Sequence, residues 1–193
     1  MGDEVTRRLL HATGTAVPLA HILAPDRVTW RVVQALLVVA LLVALALEVV
    51  RLYVGLDWAI YDRLTRAYEQ DNPAGYFLYA VGMTAVALAF TPTIALPAML
   101  LLTIADPVSG LLSDGQLRPT KQSWVLLATF GVALLLAAPF VPPRAAILGA
   151  LAATVADGVK PTIRGYVVDD NLSIPVAAAV AMSVAVEWLP PLV

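Results

Sequence analysis

The segment Tyr166–Val176 reads Y-V-V-D-D-N-L-S-I-P-V, setting the carboxylates of Asp169 and Asp170 beside the carboxamide of Asn171, directly ahead of an apolar run. Carboxylates next to hydrocarbon are costly, by about 2.5–3.5 kcal/mol each at the centre of a membrane helix and less near the interface. An Asp-Asp-Asn cluster offers hard oxygen ligands of the kind that hold Mg2+ against substrate phosphates. The plainer alternative is a solvated loop, with Asn171 or Ser173 capping a last helix and Pro175 in its first turn.

Other segments carry polar side chains of related chemistry. Ile104–Ser123 contains Asp106, with Gly110 and Gly115 to admit a phosphate close to the backbone, and Arg118 and Lys121 to neutralise it. An aspartate expected at a helix C-terminus opposes the helix dipole and calls for an offsetting cation. In Glu4–Gly14, His11 follows Arg7 by one helical turn; a neutral imidazole there is either a general base for a hydroxyl or a hydrogen-bonding neighbour of another helix. Glu48 and Arg51 are spaced for a structural ion pair. Lys160 and Arg164 lie just upstream of the Asp-Asp-Asn cluster. There is no Walker A loop, no G-x-G-x-x-G, no serine elbow and no cysteine. Phosphate chemistry in this chain therefore needs a site assembled between helix ends.

The elements that must position these residues are membrane helices. The 193 residues are 60% hydrophobic and 13% charged, against about 25% charged in soluble domains, too few charges to cover a water-facing surface. Apolar spans are expected at Leu9–Ala24 (full but thin, or re-entrant), Trp30–Leu52, Ala74–Phe90, Pro92–Ala105, Ser123–Phe140, Ala145–Val159 and Leu172–Leu189. Tyr53–Asn72 interleaves Trp58, Tyr61 and Tyr68 with Asp62, Arg63 and Arg66, as an interfacial amphipathic helix does. Asp106–Thr120 and Lys160–Asn171 read as polar loops. The expected fold class is thus all-α, a polytopic integral membrane protein with about seven transmembrane helices and one interfacial helix. Residues 1–193 are expected to form one membrane-embedded domain. Placing the N-terminus in the cytosol puts nine Lys and Arg residues on that side and three (Arg27, Arg31, Arg144) opposite, a positive-inside pattern. The polar segments then share the cytosolic face, where nucleoside triphosphates are.

Taken together these motifs resemble the polyprenol kinase group, which includes dolichol kinase, phytol kinase and the CTP-dependent diacylglycerol kinase. The resemblance lies in R-R-L-L-H-A-T-G at 7–14, L-E-V-V-R at 47–51, R-A-Y-E at 66–69 and G-Y-F-L-Y-A-V-G at 75–82. It continues in A-D-P-V-S-G at 105–110 and, closest of all, D-D-N-L-S-I-P at 169–175. The loop after Asp106 is shorter than is usual in the group, and Asp157 stands where a glutamate is often found. The resemblance implies transfer of the γ-phosphoryl group of a nucleotide, usually CTP, to a membrane-embedded isoprenoid or glycerolipid alcohol with Mg2+.

Asp106, Asp169 and Asp170 are the expected metal ligands and, with His11, the expected catalytic residues. Arg118, Lys121, Lys160, Asn171 and Gly110 are expected at the nucleotide. An aspartate, Asp169 or Asp170 ahead of His11, is expected to take the alcohol proton, and Gly82 to border the lipid groove. The expected partners are the nucleotide, the lipid alcohol and the bilayer, with no nucleic acid. The rival activities are a CTP-dependent phospholipid cytidylyltransferase and, outside enzymes, a small ion or solute transporter.

Overall fold

Long runs of Leu, Val and Ala without charge satisfy their backbone groups only as helices when water is absent, and the computed structural model is built accordingly. It describes residues 11–55, 65, 69–70, 72–113, 120–159, 161–163 and 166–190. In chain order the helices are α1 (Ala16–Leu23), α2 (Trp30–Val49), α3 (Gly75–Ala89), α4 (Pro92–Leu100), α5 (Asp106–Leu112), α6 (Ser123–Ala137), α7 (Pro143–Gly158) and α8 (Asp170–Trp188). The one hairpin among the described residues, β1 (Thr162–Ile163) against β2 (Tyr166–Val167), pairs antiparallel within the expected second polar loop.

Among the described residues, three helical stretches are long and apolar enough to cross a membrane: Trp30–Val54, Pro92–Leu112 and Asp170–Trp188. Gly75–Ala89 and Ser123–Ala137 are apolar but shorter. At 15 residues each they reach only about 22 Å at ~1.5 Å per residue, short of the ~30 Å hydrocarbon core. The expected first span is broken, since residues 11–13 and Ala16–Leu23 are helical but a turn at Gly14–Thr15 separates them. Most of the expected interfacial helix lies outside the described residues. Its first residues, Tyr53 and Val54, instead extend α2 through a π-turn over Val50–Val54. Gly55, at φ 70°, stops that turn in the left-handed conformation that glycine adopts without steric cost.

The largest departure from the sequence reading concerns Asp106. It does not end a helix, because α4 runs through a π-turn at Leu101–Ala105 into α5. The expected conflict with a helix C-terminal dipole therefore does not arise. Pro107 explains the π-turn. A proline has no N–H for the carbonyl four residues back, and its ring crowds that carbonyl. A wider turn relieves both. Here the Asp106 N–H bonds Leu101 O, five residues back, and the Thr103 carbonyl that Pro107 cannot serve accepts from Thr15 Oγ1 at 3.5 Å.

The core gathers Val33 and Leu37 of α2, Met83 and Val86 of α3, Met99 of α4 and Met182 of α8. α7 and α8 pack against each other with many small buried residues, Ala146, Ala150 and Ala153 on α7 and Ala178 and Ala185 on α8, and Met182 lies over Gly149. Small side chains let helix backbones approach where the hydrophobic effect gives no drive between helices. At one end of this pair Arg144 Nε donates to Ala185 O at 3.0 Å. At the other end, the C-terminus of α7 and the N-terminus of α8, lies the polar cluster described next.

Candidate functional site

Three carboxylates meet where α5, α7 and α8 come together. Asp106, Asp157 and Asp170 each offer an oxygen, and these oxygens all lie within 4.8 Å of one another. Asp157 is 1% exposed and Asp170 6%. Three ionised carboxylates so close and so dry repel one another strongly, and buried charge requires compensation. Part of it is Lys121, just ahead of α6, whose Nζ lies 2.5 Å from Asp157 Oδ1. Lys121 Nζ also donates to Ser109 Oγ at 2.9 Å, and Ser109 Oγ donates to Asp157 Oδ2 at 2.6 Å. Lys121 is held in place from its backbone, its N–H bonding Gly158 O next to Asp157 at 3.1 Å. On the far side of Asp106, His11 Nδ1 stands 3.5 Å from Asp106 Oδ2, and its ring lies against Tyr79, centroids 4.5 Å apart.

The start of α8 separates the adjacent residues Asp169, Asp170 and Asn171 into different tasks. Asp169 is the N-cap, and its Oδ1 accepts the Asn171 N–H at 2.9 Å. Its carbonyl receives the N–H groups of Leu172 and Ser173, so the first orphan donors of the helix are met locally. Asp170, the first helical residue, points into the carboxylate triad. Asn171, about 100° further round the helix, turns instead to α3, where its Nδ2 would lie 2.8 Å from a Cβ at Gly75. Glu69 Oε1 and Asp169 Oδ2 lie near the same point, at 3.6 and 3.8 Å.

Beside Asn171 a second polar group ties down the chain ahead of α3. Glu48 and Arg51 form the ion pair expected from their spacing, at 2.7 Å. Arg51 also donates to the carbonyls of Glu69, Gln70 and Asn72. Glu48 accepts from the Ala74 N–H at 2.8 Å and the Tyr76 hydroxyl at 2.5 Å.

Of the residues singled out from sequence, Asp106 and Asp170 lie together with His11 and Lys121 close by, and Asp169 and Asn171 flank them. Gly110 lies in α5, one turn beyond Asp106, rather than in a loop. Arg118 and Lys160 fall outside the described residues. At Gly82 a Cβ would lie 2.8 Å from Asn171 O and 3.1 Å from Pro175 Cγ, which makes it a packing position between α3 and α8. Asp157 and Ser109 are the residues that sequence spacing alone did not bring into the cluster. The signal was an isolated aspartate, A-D-G, closing an otherwise apolar run. No protein-family model, no curated protein and no solved structure matches the chain.

Proposed function

We propose that the chain is an integral-membrane lipid kinase, transferring the γ-phosphoryl group of a nucleoside triphosphate, CTP by resemblance, to an isoprenoid alcohol. The observation that carries this reading is the triad of buried Asp157 and Asp170 with half-buried Asp106, one lysine against it, at one end of a bundle of apolar helices. The donor set fits a divalent cation of the Mg2+ type, since every ligand is a hard oxygen and the spacing suits a shared ion. Three carboxylates and one ammonium leave a net charge of about −2, which one such ion cancels. Asp106, Asp157 and Asp170 would hold it. Bound there, it would neutralise charge on the triphosphate oxygens during transfer.

The remaining steps belong to the chain's own side chains. Lys121 holds Asp157 in its ligand orientation and places a positive charge beside the phosphates. Asp169, through its cap, fixes where Asp170 points. The alcohol oxygen forms a bond to the γ-phosphorus as the bond to the departing nucleoside diphosphate breaks. The hydroxyl proton passes to a carboxylate of the Asp169–Asp170 pair. Orientation is part of the proposal: this end of the bundle faces the cytosol.

The test is incubation of detergent-purified protein with Mg2+ and CTP labelled either at the γ-phosphate or in the nucleoside, together with a prenol and a diacylglycerol. γ-Label on the prenol supports the kinase. Nucleoside label on a phospholipid acid would mark a cytidylyltransferase, and no labelled lipid at all would overturn both enzymatic readings.

A further inference from the structure

Asn171 is 5% exposed, and its Oδ1 finds no hydrogen-bond partner among the described residues. A buried acceptor left unpaired costs free energy comparable to a lost hydrogen bond. Two other buried atoms share that condition, the hydroxyls of Thr103 and Thr129. Those can rotate onto a carbonyl of their own helix. A carboxamide has no such rotor, and turning it over would set its oxygen, in place of Nδ2, toward the Glu69 and Asp169 carboxylates above Gly75. The packing here is close: the Asn171 side chain lies over Gly75, and any β-carbon at that position would collide with it.

The chemistry of the orphaned atom narrows what it can bind. Phosphate oxygens at neutral pH carry no proton, so an unpaired acceptor has nothing to offer a nucleotide's triphosphate. It suits a cation or a ligand that donates, and the Asn171 side chain turns to α3, away from the triad where a cation would sit, which leaves the donor. We propose that the Asn171 carboxamide is the recognition group for an alcohol hydroxyl, that of the lipid substrate, bound at the first turn of α8. This rests on the lipid-kinase reading for the identity of the alcohol, though not for the need of a donor. The neighbourhood agrees. Asp170 stands one residue away in the triad. The apolar residues Leu78 of α3 and Ile174 of α8, both buried, continue from this point into the bundle and suit a hydrocarbon tail better than a ribose.

The experiment is equilibrium binding of labelled farnesol to the full chain in detergent, without nucleotide or divalent ion, with farnesyl methyl ether and cytidine as competitors. The ether keeps the tail and lacks the donor. The wild-type protein is expected to prefer the alcohol over the ether by about two- to tenfold, the range of one neutral hydrogen bond. Asn171→Leu, close in shape and unable to accept, should bind both alike while its melting temperature holds or rises, because the unpaired polar atom is gone. Asn171→Asp keeps an acceptor and should keep the preference. A purely structural asparagine would show the reverse, with lower stability and unchanged selectivity. Equal wild-type affinity for alcohol and ether, or no farnesol binding, overturns the proposal, and this comparison stands even if a variant fails to fold. Cytidine binding that depends on Asn171 would move the hydroxyl to the nucleotide and overturn the lipid assignment. Labelled prenol phosphate formed by a protein indifferent to the ether would sink this inference and leave the kinase reading intact. Asn171-dependent prenol binding without phosphoryl transfer would do the opposite.

Discussion

The three triad carboxylates are not equivalent, and their variants should separate. Asp106 and Asp170 lie close to other carboxylates, while Asp157 also holds Lys121 and receives Ser109 Oγ. Asp106→Asn and Asp170→Asn each remove one of three crowded charges. They are expected to lower phosphoryl transfer by about a hundredfold or more, with thermal stability held or slightly raised as repulsion is relieved. Asp157→Asn instead removes the carboxylate that Lys121 and Ser109 bond directly, and is expected to destabilise by about 1–3 kcal/mol. Thermal unfolding in detergent, together with Mn2+ binding followed by electron paramagnetic resonance, checks both. Equal destabilisation by all three variants would mean that the triad is no shared ion site. The sequence showed that carboxylates gather at 169–170 but not which of the two enters the cluster. That choice depends on where α8 begins. With Asp169 as N-cap, Asp170 becomes the first helical residue and faces the triad. The role of Asp157 was harder still to read, because a lone aspartate gains meaning only from a helix that meets it in space.

At the scale of elements, the apolar runs were legible, since length and the absence of charge mark helices that bury their backbone groups. The course of the chain through Asp106 was not. D-P followed by glycines reads as a break, yet the helix absorbs Pro107 by widening one turn at Leu101–Ala105. That turn sets the rotation of Asp106 relative to the core face of α4. Pro107→Ala restores an N–H for the Thr103 carbonyl and removes the reason for the wide turn. The expected result is a more stable protein with weaker divalent-ion binding, as Asp106 rotates away from Asp157 and Asp170. Unchanged Mn2+ affinity in this variant would show that the π-turn does not position the site. The α3–α8 seam makes the complementary case. Gly82 sits against the Asn171 carbonyl, the one that Pro175 leaves without its helical N–H. Gly82→Leu is therefore expected to cost about 1–3 kcal/mol or more through overpacking. It should also disturb Asn171, a broader defect than the loss of lipid selectivity expected of a groove residue.

Across the whole molecule the polar groups are distributed unequally between the two ends of the bundle. One end holds the triad, His11, Lys121, the Glu48–Arg51 pair and the Asp169 cap. The other holds the Arg144–Ala185 contact and the proline-led starts of α4 and α7 at Thr91–Pro92 and Pro142–Pro143. Antiparallel neighbours produce this sorting: Gln34 near the start of α2 bonds Ala87 O near the end of α3, while Lys121 ahead of α6 bonds Gly158 O at the end of α7. If the bundle spans a bilayer, the positive-inside reading of the sequence predicts that the site end, which holds Arg51 and Lys121 among the described residues, faces the cytosol. Cysteines are absent from the chain, so single cysteines can report on sidedness directly. In spheroplasts treated with a membrane-impermeant maleimide, Thr91→Cys and Pro142→Cys are expected to label from outside. Ser113→Cys and Pro161→Cys should label only after the membrane is opened. The short helices α3 and α6 give this test its force, because each must carry the chain from one of these faces to the other with only 15 residues. A bilayer accommodates such helices by thinning or by tilt of their longer neighbours, at modest cost per ångström. Labelling of positions 91 and 113 both from outside would show that Pro92–Leu112 does not cross. The triad would then lie at an interface reached from outside, away from cytosolic nucleotide, and a kinase drawing on that pool would be untenable.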